Sequence, residues 1–208
     1  MKNKLSLILA GLLLCISQSA MAQTVDSLTV SATIPNASGL QLTVTPVNAS
    51  SGTAGTSSTS ATTIPFGTLV FNTANNIYEP TNYYTVGIGT TGGAGTPTVS
   101  VTYTEGTNPN NPGTSTNGLG TKATATFITV ASNGAQTVSS LGKKRLIDLT
   151  GTAGAMGTPP AGSSEQVDVG IWTGSTTAPA DPSNGTPFSN TDVAGTYTGT
   201  LTFTATSL

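Results

Sequence analysis

Along most of this chain, apolar residues and small polar ones take turns. Towards the C-terminus Tyr197, Gly199, Leu201, Phe203 and Ala205 fall on one parity, and Thr196, Thr198, Thr200, Thr202, Thr204 and Thr206 on the other. Successive side chains of a strand point to opposite faces, so a period of two predicts a β-strand with one buried and one solvated side. Threonine suits the wet side, because its β-branch favours extended backbone and its hydroxyl stays hydrated. The alternation recurs at Leu28, Val30, Ala32 and Ile34, at Leu40, Leu42 and Val44, and over 66–71 and 81–88. It continues at Val99, Val101 and Tyr103, over 123–130 and 145–149, and at Val167, Val169 and Ile171. Segments 50–63, 105–120, 151–164 and 174–190 are dense in Gly, Pro, Ser, Asn and Thr and read as loops. After the first 22 residues no window of ten or more carries helical periodicity. About nine short strands with long connections predict an all-β fold, an antiparallel β-sandwich.

The first 22 residues follow another pattern. Lys2 and Lys4 precede an uncharged apolar run over 5–16, and Ala20-Met21-Ala22 then places small residues where signal peptidase needs them. This reads as a cleavable signal peptide with the cut between Ala22 and Gln23. The apolar run is about a dozen residues, short of the roughly 20 that span a bilayer, so no stable membrane span is expected after cleavage. Cys15 is the single cysteine, and Leu14 before it is not the small residue that lipidation requires. It leaves with the signal. Residues 23–208 are then a single sandwich domain, exported to the periplasm, cell surface or extracellular space, without disulfide or thiolate chemistry.

Composition narrows the function classes. Charged residues are 7% of the chain and the formal net charge is -2, against roughly 25% charged residues in an average soluble protein. Losing Lys2 and Lys4 leaves the remainder more acidic, which disfavours nucleic acid and anionic membrane surfaces as partners. Histidine is absent, removing the usual general base and the commonest zinc ligand. Glu165 and Asp168 are three apart on an expected strand, hence on opposite faces and unsuited to paired acid and base work. Catalysis would instead need Glu79, Glu105, Asp148 or Asp168 to converge. Asp181, Asn184 and Asp192 lack the spacing of a calcium loop and read as turn residues. No enzyme and no cofactor are expected.

Two side-chain groups remain. Tyr83, Tyr84 and Trp172 are candidates for a platform on which a sugar ring stacks, the competing reading being core packing. Lys143-Lys144-Arg145 reads as a set of gatekeeper charges against edge pairing rather than a nucleic-acid patch.

The order of features resembles the spore coat protein U family and related chaperone-usher pilin-like subunits of Gram-negative bacteria. The resemblance rests on a strand ending in Ile34-Pro35-Asn36, on Phe66-Gly67-Thr68-Leu69, and on the terminal run from Ala194-Gly195-Thr196-Tyr197 to Leu201-Thr202-Phe203. Where the family usually carries a cysteine soon after its first strand, this chain has Asn36-Ala37-Ser38. The resemblance implies that the antiparallel sandwich is immunoglobulin-like and that its function is assembly, in which an incomplete sandwich accepts a strand from a partner. Leu28, Val30, Ala32 and Ile34, with Tyr197, Leu201 and Phe203, would supply the pairing edges. The partners would be copies of itself or related subunits, with a periplasmic chaperone and usher. The expected role is therefore a non-catalytic structural subunit of a pilus-like or coat-like surface assembly. The alternative is a monomeric secreted adhesin or carbohydrate-binding module.

Overall fold

The computed structural model describes residues 27–33, 40–60, 62–90, 98–109, 118–151, 154–155, 163–173 and 185–206. The segment 1–22 read as a signal, the expected cut between Ala22 and Gln23, Cys15, Ile34-Pro35-Asn36, Asp181 and Asn184 lie outside these residues. In chain order the strands are β1 (Ser27–Thr33), β2 (Leu40–Asn48), β3 (Thr63–Gly67), β4 (Val70–Asn72), β5 (Ile77–Glu79), β6 (Asn82–Thr90) and β7 (Thr98–Glu105). A short helix α1 (Leu119–Lys122) leads into β8 (Ala123–Val130) and β9 (Gln136–Arg145), followed by a 3-10 turn (Leu146–Leu149). Last come β10 (Gly154–Ala155), β11 (Ser164–Ile171), β12 (Phe188–Ser189) and β13 (Thr196–Thr206). Among the described residues, no helix is long and apolar enough to cross a membrane.

The alternating strands build two five-stranded sheets, β10-β7-β13-β1-β3 and β2-β6-β11-β8-β9. One parity of each strand turns inward. Val30, Ile64, Val101, Tyr103, Leu201 and Phe203 from the first sheet meet Leu42, Val86, Phe127, Val167 and Val169 from the second in one buried cluster, which makes the fold a β-sandwich. The ladders are antiparallel except that β1 runs parallel to β13. A third sheet, β12-β5-β4, is built from short strands that follow β3 and precede β13, and its Tyr78 and Phe188 join the same buried cluster.

Two expected strands come out differently. The run 66–71 breaks because Gly67 adopts φ +68, a left-handed conformation that ends β3 before β4 begins. Residues 146–149 are a 3-10 turn rather than a strand, because the buried Leu146 and Leu149 are three apart and share one side of a three-residue turn. The Arg145 guanidinium closes that turn on Asp148 at 2.6 Å and 3.1 Å. The strand of this region is β9, upstream, where an edge position and wide exposure leave little alternation.

Candidate assembly groove

On β13, Tyr197, Gly199, Leu201 and Phe203 are buried, and Thr198, Thr200, Thr202 and Thr204 are half-exposed. Its inner face holds one small residue for a steric reason. A Cβ on Gly199 would sit 2.2 Å from the Tyr103 hydroxyl and 2.5 Å from its ring, so the Tyr103 side chain occupies the space that any larger residue would need. Beside β13 runs β1, in register Leu28 with Tyr197, Val30 with Gly199 and Ala32 with Leu201. Val30 is wholly buried, facing Gly199 on one side and Ile64 of β3 on the other. The structure thus brings Leu28, Val30, Ala32, Tyr197 and Leu201 together across one ladder. Phe203 lies one inward position beyond, paired with Val101 of β7.

β1 is an inner strand, and each of its two ladders carries a feature that weakens it. The parallel ladder to β13 has slanted bonds and is slightly less stable per residue than an antiparallel one. The ladder to β3 shifts register between Leu28 and Thr29, and Thr29 faces Pro65, which has no N–H to give. The Pro65 carbonyl accepts a hydrogen bond from the Tyr84 hydroxyl. Withdrawing β1 would leave a groove between β13 and β3, floored by buried apolar side chains.

Compared with known proteins, the chain matches no family model, no curated protein and no solved structure.

The end of the groove where β1 begins is held by an ion pair that the sequence did not signal. Lys122 at the end of α1 places its Nζ 2.9 Å and 3.0 Å from the two Asp192 carboxylate oxygens and 3.0 Å from the Pro187 carbonyl. Both side chains are 3% exposed. Ser189 N–H donates to the same carboxylate at 2.8 Å, and the Lys122 ammonium lies 5.4 Å from the Phe188 ring centroid. Phe188 in turn meets Tyr197 edge-on at 4.8 Å, and the Tyr197 hydroxyl donates to Val193 at 2.7 Å. Asp192 is therefore an anchor for the start of β13, not a solvated turn residue.

The candidate sugar platform does not come together as one surface. Tyr84 is buried in the core, edge-on to Phe66 at 5.3 Å, because it shares the inward parity of Val86 and Ile88 on β6. Tyr83, its chain neighbour, points to the opposite face, where Asp168 and burial raise its hydroxyl pKa, burial being the larger effect. Trp172 is half-buried and packs so closely on Gly185 that a Cβ there would meet the indole at 2.2 Å.

Each candidate carboxylate has its own local partner. Glu105 accepts from Leu119 N–H at 3.0 Å and Gly120 N–H at 2.9 Å, pinning α1 to β7. Asp148 belongs to Arg145, which holds its pKa below the ordinary range. Glu79 accepts from the Asn72 amide at 3.0 Å. Asp168 accepts from the Thr85 hydroxyl at 2.8 Å and the Gln166 amide at 3.1 Å, while burial raises its pKa. Glu165 has the inward parity of Val167 and Val169, is 5% exposed, and has its pKa pushed up to about 7 by burial.

An open recess of about 530 Å³ lies at the end of β2, lined by Pro46, Asn48, Ser51, Thr53 and Asn82 among others. Its lining contains no charged side chain.

Proposed function

We propose that this protein is a non-catalytic, exported structural subunit that builds a pilus-like or coat-like surface assembly by exchanging β1 between copies. The observation that carries the reading is the central place of β1, with Val30 buried between Gly199 and Ile64 while both flanking ladders are weakened. An element that fills a slot in its own chain fills the same slot in a neighbour, provided the connection after it opens; that is the low-cost route of strand swapping. The export pattern of residues 1–22, the scarcity of charge and the resemblance to pilin-like subunits support the same role. On this reading the partners are further copies or related subunits, with a periplasmic chaperone and usher delivering them.

Strand complementation tests the proposal. A chain beginning at Leu40 should expose the groove and bind a synthetic peptide of residues 23–36, regaining the thermal transition of the full mature chain. The same peptide with Val30→Asp should bind at least ~100-fold more weakly, since it would bury an unpaired carboxylate at a cost of several kcal/mol. The full chain 23–208 should form oligomers that grow with concentration. A truncated chain that keeps its full stability and ignores the peptide, together with a strictly monomeric 23–208, would sink the proposal.

A further inference from the structure

Strand exchange makes no use of the outward half of the alternation in the first sheet. On β7, Thr98, Ser100, Thr102 and Thr104 alternate with the buried Val99, Val101 and Tyr103. On β13, Thr196, Thr198, Thr200, Thr202 and Thr204 alternate with the buried Tyr197, Gly199, Leu201 and Phe203. All of these hydroxyl residues are exposed or half-exposed. The two strands are antiparallel neighbours, with Thr200 opposite Thr104, Thr202 opposite Thr102 and Thr204 opposite Ser100. β1 extends the rows, placing Thr29, Ser31 and Thr33 at the register positions beside Thr198, Thr200 and Thr202. The result is a grid of hydroxyl residues, repeating every 4.8 Å or so across the strands and about 6.8 Å along them.

Strand propensity alone does not account for the grid. It favours threonine on any wet strand, yet the outward face of the second sheet mixes Tyr83, Thr85, Gln166, Asp168 and Lys143. The grid also keeps its hydroxyls available. Thr198 Oγ1 accepts from Thr107 N–H at 2.7 Å and Ser100 Oγ donates to the Thr204 carbonyl at 3.4 Å. The hydroxyls of Thr102, Thr104, Thr200, Thr202 and Thr204 form no hydrogen bond with another described residue. A β-branched side chain is stiff at χ1, so each methyl and hydroxyl holds its place and little entropy is lost when the face is covered.

We infer that this face binds the surface of ice. Charge and shape select the partner. No charged residue stands in the grid, so it complements a neutral surface rather than an ionic one. It carries no aromatic ring to stack on a sugar and no large apolar side chain to anchor a protein partner. What it offers is methyls and hydroxyls at repeats close to the spacings of water oxygens on the faces of hexagonal ice. Waters held by successive threonines therefore fall near lattice positions, and many weak contacts form together. Neighbouring strands are twisted by about 20–25°, which centres the fit on β13.

Cold-stage microscopy of the chain 23–208 tests this, through grain growth in frozen sucrose solution and the shape of single ice crystals. Wild type should hold the grains small and facet the single crystals. Thr202→Tyr in the middle of the grid, and the more exposed Thr104→Tyr, put a bulky ring between the face and the lattice. Each should raise the concentration needed at least ~10-fold, because contacts in an array act jointly. Thr137→Tyr, the same change at an exposed position of β9 outside the grid, should leave that concentration unchanged. The variants are compared once their thermal transitions agree with that of wild type. Wild-type protein that leaves grains and crystals as buffer does, or an equal loss in the variants on and off the grid, would overturn the inference. So would retention on crystalline cellulose without any effect on ice, which would give the repeat to a polysaccharide surface.

Discussion

Val30 and Glu165 occupy similar inward positions on their strands, yet only one suits burial. Val30 gains roughly 1.5–3 kcal/mol from leaving water, whereas Glu165, 5% exposed between register partners Ile88 and Thr129, holds a carboxyl where the charged form is disfavoured. Its folded pKa of about 7 lies above the unfolded value of 4.5. The unfolded chain therefore ionises first as pH rises, and the folded state keeps the proton. Stability on this account is fully present below pH 4.5, falls as pH climbs to about 7, and is flat above that. Glu165→Gln should abolish that fall, leaving the variant more stable than wild type at pH 8 by on the order of 1–3 kcal/mol and little changed at pH 4. Urea midpoints at the two pH values measure it, and an equal difference at both would refute the assignment. The inward parity of Glu165 was legible from Val167, Val169 and Ile171. Its burial was not, because alternation gives the face of a strand but not the depth at which each position sits.

At the scale of elements, legibility followed the strength of the alternation. β13, β11 and β7 stand where their patterns put them: each has an apolar face against the core, with a hydroxyl face opposite on β13 and β7 and the buried polar Gln166 and Asp168 opposite on β11. β9 went unread because an edge strand with little burial needs no apolar parity, and 145–149 misled because Leu146 and Leu149 match a period of three as well as a mixed strand. The Lys122–Asp192 pair was illegible for a different reason: its partners are 70 residues apart and meet only when α1 docks beside β12 and the turn that follows it. Removing one member strands the other. Asp192→Ala should destabilise the protein by about 3–5 kcal/mol, whereas Lys122→Met with Asp192→Leu should come within about 1–2 kcal/mol of wild type. Chemical denaturation of the three proteins distinguishes a fixed anchor from an incidental contact, which would give three similar midpoints.

At the scale of the whole molecule, the proposed exchange turns on whether β1 stays in its own chain or enters a neighbour. The sequence indicated which residues of β1 face inward, and the resemblance supplied the idea of a shared strand. Neither indicated that β1 would lie parallel to β13 within its own chain, because pairing direction depends on how distant segments meet rather than on local pattern. That closed arrangement can be locked. Ser31 and Thr200 are register partners on the parallel ladder, and adjacent strands about 4.8 Å apart fall within the Cα separations a disulfide accepts. Cysteines at 31 and 200 should therefore bridge inside one chain without competition from any other thiol of residues 23–208. Oxidised, the variant should remain free of β1-exchanged oligomers at concentrations where wild type assembles; reduced, it should assemble again. A chain that assembles equally well with the bridge closed would show that its copies join without releasing β1.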